Sequence, residues 1–228
     1  MKKPVPNQNQ SPFGFEEFFF STTNQRGLIR FGNDVFIRVS DYPKEKMLGA
    51  PHSIIRHPDM PRAVFKLFWD TLKSDKAIGA YVKNLSGNGS YYWVFAFAFP
   101  IEDGYLSIRF KPSSALFQVV QKIYEEVQAF EKENDSLEES EHLLLQKIKE
   151  HGFKDYEEFM VKATLAELNS RALEVSKTVV KEEWTQGSGQ FQQIADTTNS
   201  ALARLNDIFE KVGGFQKSND ALVETIDF

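Results

Sequence analysis

The segment from Ser86 to Phe99 constrains the fold more than any other. Ser86-Gly87-Asn88-Gly89 is a tight-turn sequence, and Tyr91 to Phe99 follows it as a long aromatic and apolar run. A strand on each side of such a turn makes an antiparallel hairpin, so Ala77–Asn84 is expected to pair with Tyr91–Phe99. Tyr105 to Phe110, set off by Glu102-Asp103-Gly104, adds a third strand. Alternation places Tyr92 with Ser90 and Val94 on one face, and Tyr91 with Trp93 on the other.

Upstream, Phe18-Phe19-Phe20-Ser21-Thr22 and Leu28-Ile29-Arg30-Phe31 read as two more strands across the turn Thr23–Gly27. Asn33 is a good N-cap for a helix with the apolar edge Val35, Phe36 and Val39. Tyr42-Pro43 begins a short helical turn, and Gly49-Ala50-Pro51-His52 breaks it. Then comes Arg56-His57-Pro58-Asp59-Met60-Pro61, which sets a cation, an imidazole and a carboxylate between two prolines. Pro58 biases His57 away from the α region. Asp59 is expected to N-cap the next helix, whose apolar face is Val64, Phe65, Phe68, Trp69 and Leu72. Two strands, several helices and three strands make an α+β domain over residues 15–112. Residues 1–14, rich in Pro, Asn, Gln and Ser, read as a flexible arm.

From Ser113 the pattern changes. Leu116, Val120, Ile123, Val127 and Phe130 follow heptad spacing, as do Leu165, Leu168, Ala172, Val175 and Val179. Phe191 to Phe215 holds the alternation for more than three heptads, long enough for a bundle or coiled coil. Composition divides at the same place. Residues 1–112 carry 15 Lys+Arg against 10 Asp+Glu and 13 of the 21 Phe, whereas residues 113–228 carry 12 against 22. Neither half is basic enough to argue for nucleic acid. No apolar window is long enough for a membrane span, and the basic start has no apolar stretch after it, so a cytoplasmic location is expected. The absence of Cys excludes thiolate metal sites and a Cys nucleophile. No nucleophile elbow, Walker-type loop or paired-His motif is present, so the chain is not expected to be an enzyme.

Several motifs, in order and at consistent spacing, resemble the PAS domain of bacterial aerotaxis receptors. They are Ser21-Thr22-Thr23, Gly32-Asn33-Asp34-Val35-Phe36, Gly49-Ala50-Pro51-His52, Arg56–Pro61, Trp69-Asp70-Thr71-Leu72, Val82-Lys83-Asn84, Asn88–Val94 and Tyr105–Arg109. The resemblance covers roughly Phe18 to Pro112. It implies a five-stranded antiparallel sheet with helices on one face, enclosing a ligand pocket, followed here by an α-helical bundle or coiled-coil region over 113–228. It also implies non-covalent FAD whose redox state is the signal, with cofactor-binding positions at Asn33, Arg56, His57, Asp59, Trp69 and Asn84. A second pocket Trp of the family is Ile78 here.

Each of these residues also has a structural role to weigh: helix caps for Asn33 and Asp59, core packing for Trp69, an edge-strand polar group for Asn84, a surface ion pair for Arg56 and a structural hydrogen bond for His57. The expected protein is a PAS sensor that relays a redox or oxygen state through C-terminal helices. Those helices would form a homodimer and reach a chemotaxis or other signalling partner. The alternatives are a cofactor-free PAS scaffold, favoured by Ile78, and a haem gas sensor using His57 or His52.

Overall fold

A computed structural model describes residues 3–179 of the 228. Two strands open it, β1 (Phe19–Asn24) and β2 (Ile29–Gly32), followed by the short helices α1 (Asp34–Ser40) and α2 (Lys44–Met47). A single 3₁₀ turn (His52–Ile55) leads to α3 (Arg62–Lys73). Strands β3 (Ile78–Leu85), β4 (Tyr91–Ile101) and β5 (Gly104–Phe110) follow, then helices α4 (Ala115–Glu133), α5 (Leu137–Glu150) and α6 (Tyr156–Val179). The strands form one sheet in the order β2-β1-β5-β4-β3, antiparallel throughout. The last strand inserts beside the first, so β1 and β3 never touch.

Register decides what each face carries. Opposite Val82 and Asn84 on β3 stand Val94 and Tyr92 on β4, while Ala96 stands opposite Arg109 on β5. These side chains, with Ser21, Thr23 and Ser107, share the face covered by α3 and the 3₁₀ turn. The opposite parity brings Tyr81, Trp93 and Phe95 together on the other face. Phe117 of α4 stacks on Tyr81 at 5.5 Å and meets Trp93 edge-on at 5.2 Å. The sheet is therefore covered by α1–α3 on one side and partly by α4–α6 on the other. The heptad positions Val120, Ile123 and Val127 of α4 are buried, as their spacing predicts.

The β3 edge shows how the later helices are tied to the sheet. On an edge strand, alternate carbonyls have no ladder partner. Here Tyr156 Oη donates to Gly79 O at 2.9 Å, Tyr124 Oη to Tyr81 O at 3.1 Å, and His57 N–H to Lys83 O at 3.4 Å. The same helices reach around this edge to α3. Glu131, near the end of α4, accepts from the N–H groups of Arg62 at 2.7 Å and Ala63 at 2.9 Å. Glu167 of α6, fully buried, accepts from Tyr81 Oη at 2.8 Å, Ser113 N–H at 2.7 Å and Ser114 Oγ at 2.5 Å.

The expected flexible arm is instead tied down along residues 7–13. Asn7 N–H donates to Gly89 O, Tyr91 N–H to Asn9 O and Ser11 N–H to Tyr91 O, each at 2.8–2.9 Å. β5 pairs with β4 only as far as Phe95, so the arm fills the part of β4 left open near Tyr91. Phe13 then enters the core, 5.0 Å from Phe19. The heptad run Phe191–Phe215 lies outside the described residues.

Candidate functional site

Between the inner sheet face and α3 lies a cavity of about 270 Å³. Its apolar wall is Phe65, Phe68, Trp69 and Leu72 from α3, faced by Val82, Ala96 and Ala98 from the sheet. The small residues matter. Ala96 and Ala98 occupy core-facing positions of a strand otherwise crowded with aromatics, and they leave the space that the helix side chains border. Gly27, in the β1–β2 turn at φ +74°, closes one end. A Cβ there would sit 3.0 Å from Trp69 Cη2, so glycine serves both the left-handed turn and the close approach to the indole. Tyr105 meets Trp69 edge-to-face at 5.6 Å and holds the ring upright.

The polar side of the cavity is unusual for a small domain. Arg109 is 2% exposed and lies among neutral groups. Its Nη1 donates to His52 Nε2 at 3.1 Å, Nη2 donates to Ser21 Oγ, and the guanidinium lies 4.6 Å from the Phe36 ring centre. Its Nε–H has no partner. Burial pushes the guanidinium down to about 10, offset in part by the nearby Tyr92 hydroxyl. His52 stacks on Phe36 at 5.9 Å, and burial followed by the Arg109 charge pushes it down to about 3, so it is neutral and accepts at Nε2. Across the cavity, Asn84 is 3% exposed and its Nδ2 also has no partner. Buried donors without acceptors are costly and rare. The two residues that carry them both border this one cavity.

Three of the six sequence-predicted residues, Arg56, Trp69 and Asn84, meet at the cavity. The Arg56 guanidinium lies 3.7 Å from the Phe65 ring centre, and burial lowers its pKa. Its backbone bridges to Asn84 along the β3 edge. His57 and Asp59 lie outside the lining. Pro58 holds this stretch extended, and successive side chains of an extended chain point to opposite sides. Arg56 therefore faces the cavity and His57 turns away, buried, with Nδ1 accepting from Asp59 N–H at 3.1 Å. Burial first, and then the charge of Lys83, push His57 down to about 4. Asp59 does not cap α3. That helix starts at Arg62, too far along, so Asp59 binds Lys83 Nζ at 2.6 Å and Glu131 supplies the cap. Asn33 is the cap expected of it: Oδ1 accepts from Phe36 N–H at 3.1 Å, Nδ2 donates to Phe18 O at 2.9 Å, and it too lies outside the cavity.

Arg109, Ser21 and Gly27 are not among the cofactor positions that the resemblance implies, although Gly27 ends the expected turn and the other two lie in matching motifs. A signal for Arg109 was present. Strand alternation places it on the same face as Tyr105 and Ser107, and a charged residue at a core-facing position demands a reason. Among the described residues no group of acidic and histidine side chains could hold a metal, and no helix is long and apolar enough to cross a membrane.

The PAS fold family matches residues 29–107, from the start of β2 to Ser107 in β5, and so takes in most of the cavity lining, with Ser21, Thr23, Arg26, Gly27 and Arg109 lying outside it. The chain carries a PAS domain. It is 36% identical over 131 residues to the aerotaxis receptor of Escherichia coli K12, a match covering 55% of this chain and 26% of that receptor. Among solved structures, the PAS domain of a Colwellia psychrerythraea protein aligns with a TM-score of 0.36 and 19% identity, over 41% of this chain and 85% of that one. The LOV domain of a blue-light-activated histidine kinase from Erythrobacter litoralis aligns at 0.37 with 13% identity, over 40% and 92%.

The FAD implied by the aerotaxis-type resemblance can be tested against this PAS cavity. An aromatic wall at Trp69 and the polar side chains of Asn84 and Arg109 at its border suit a flat ring with acceptor atoms on its rim. The volume sits just under the roughly 300–1,000 Å³ of ligand pockets, enough for a ring system though not for a whole dinucleotide. Arg26 and Arg56 also line it, and guanidinium is the bidentate phosphate binder. The residues fit the flavin ring, with Arg26 and Arg56 at the cavity border to meet the phosphates.

Proposed function

We propose that this chain is a flavin-binding PAS sensor that reports a redox or oxygen-linked state. The observation that carries the reading is a cavity walled by Trp69 and bordered by Asn84 and Arg109, each of which has a buried donor, Nδ2 and Nε, with no acceptor among the described residues. Asn84, Trp69 and Arg56 would hold FAD, with Arg56 serving the phosphates. The flavin supplies reversible electron uptake when bound. Phe65, Phe68 and Leu72 exclude water from the ring, and Gly27 keeps the indole at the cavity end. Ile78 does not itself line the cavity but packs with Leu72 and Ala98, which do, so the residue in place of the family's second Trp backs the cavity wall rather than forming it. That weakens the scaffold reading. The haem reading has less support, because His52 Nε2 is engaged by Arg109 and His57 points away from the cavity.

The relay runs through α3. The helix that borders the cavity begins on the Glu131 carboxylate of α4, and its Lys66 pairs with Glu141 of α5 at 2.7 Å. A change in charge at the cavity shifts the helices only if two packings of α3 contact the ligand differently. A cytoplasmic location, self-association through the helical region and a chemotaxis-type output complete the proposal.

The test is the absorption spectrum of purified full-length protein, before and after FAD is added to apoprotein. Flavin bands with 1:1 occupancy are expected, and Arg56→Ala should lower that occupancy at least tenfold. A Soret band, or apoprotein that takes up no FAD, would end the flavin reading.

A further inference from the structure

Arg109 has a role that the aerotaxis-type resemblance does not assign. A buried cation is normally paired with a carboxylate, because an isolated charge in a protein interior is expensive. Among the described residues Arg109 has no such partner. Its hydrogen bonds go to a neutral imidazole and a hydroxyl, and its ring contact is Phe36. Among the described residues no Asp or Glu lines the cavity, although Arg26 and Arg56 do. Ser21 and His52 use the two Nη groups, fixing the guanidinium plane on the inner sheet face, where Arg109 borders the cavity, and Nε–H is left buried without an acceptor among the described residues. A site built this way wants negative charge.

We infer that Arg109 is the electrostatic receptor of the cavity, placed by His52 and Ser21 to favour a ligand edge that gains negative charge. The inference rests on the flavin reading above. Reduction adds electrons to the ring, supplied in the test by dithionite, and a fixed cation at the rim stabilises the reduced form over the oxidised one. Arg109 therefore raises the reduction potential of bound flavin, and the cost of leaving it unpaired in the apoprotein is recovered when the ligand becomes anionic. His52 suits this role because it stays neutral. A protonated imidazole would repel Arg109, and a carboxylate in its place would cancel the charge.

The experiment measures flavin content and spectroelectrochemical midpoint potential for wild type, Arg109→Met and Arg109→Lys. If wild type takes up no flavin, the underlying reading fails before this one is reached. With flavin bound, Arg109→Met should lower the equilibrium constant for one-electron uptake at least tenfold, a shift of about 59 mV. Arg109→Lys should recover most of it. Loss of flavin from the Met variant alone, with Lys near the wild-type potential, also supports a ligand-facing charge. An unchanged potential in flavin-loaded Arg109→Met overturns the inference. So does loss of flavin from both variants while circular dichroism shows an intact fold. Arg109→Gln replaces Met should Met fail to fold, with the same expected shift and the same overturning result.

Discussion

Replacing Glu131 with Ala tests whether the C-terminal helices are part of the PAS structure or an appendage to it. Glu131 is buried, with its side chain 7% exposed. Its carboxylate accepts from Arg62 N–H, Ala63 N–H and Ser140 Oγ, so one side chain of α4 caps α3 and also holds α5. No other side chain caps α3, because Pro61 stands at its N-cap position. Loss of a helix cap costs about 0.5–2 kcal/mol. Removing a negative charge from a helix N-terminus costs about 0.3–1 kcal/mol more, rising toward 2 when partly buried. The Ser140 hydroxyl loses a charge-assisted acceptor as well. Together these predict that Glu131→Ala destabilises the fold by about 2–4 kcal/mol, and that Glu131→Gln, which keeps an acceptor but not the charge, costs about half as much. Equilibrium urea unfolding with an unchanged m-value measures both. If Glu131→Ala lies within about 0.5 kcal/mol of wild type, a surface-like value, the cap is not a tie between the two parts.

Glu167→Ala should be comparably damaging, about 2–4 kcal/mol by the same unfolding assay, because it strands buried donors on Tyr81, Ser113 and Ser114. Tyr156→Phe and Tyr124→Phe each unmask one β3 edge carbonyl, so each should cost about 1 kcal/mol and speed amide exchange in β3. Gly27→Ala should cost about 1–2 kcal/mol from its positive φ, and should perturb Trp69 fluorescence through the 3.0 Å contact. Stability should fall with pH below neutrality. His57 and His52 are pushed down from 6.5 to about 4 and about 3, so between pH 6.5 and those values the unfolded chain binds protons that the folded one refuses. Unfolding free energy at pH 5.5 should be lower than at pH 7.5 by about 1.3 kcal/mol for each histidine, about 2.5 kcal/mol together, and the combined His57→Gln and His52→Gln variant should lose most of that slope.

Much of the PAS scaffold was legible because it rests on local rules. The turn at Ser86–Gly89, the alternation along Tyr91–Phe99 and the Asn33 cap each depend on a few neighbouring residues, and each appears where those residues dictate. The site was legible in part. Arg56, Trp69 and Asn84 reach the cavity, while His57 and Asp59 sit in the same short motif and do not. Composition also misled. Residues 7–13 are polar enough to be loose, yet they are held because β5 is too short to cover the start of β4.

By itself the sequence determined the strands, the helix carrying Trp69, the buried heptad face of α4 and a PAS-type cavity, since these follow from periodicity, turn chemistry and motif order. In α6, by contrast, the heptad residues Leu165 and Leu168 are exposed, and Phe159, Ala163 and Glu167 are buried. Only the tertiary structure decided that Glu131 rather than Asp59 caps α3, that two tyrosine hydroxyls seal the β3 edge, and that Arg109 stands buried with no carboxylate beside it. Each of these joins residues from separate elements. Their energies come from burial and from donors left without acceptors, and neither quantity exists until the distant parts of the chain have met.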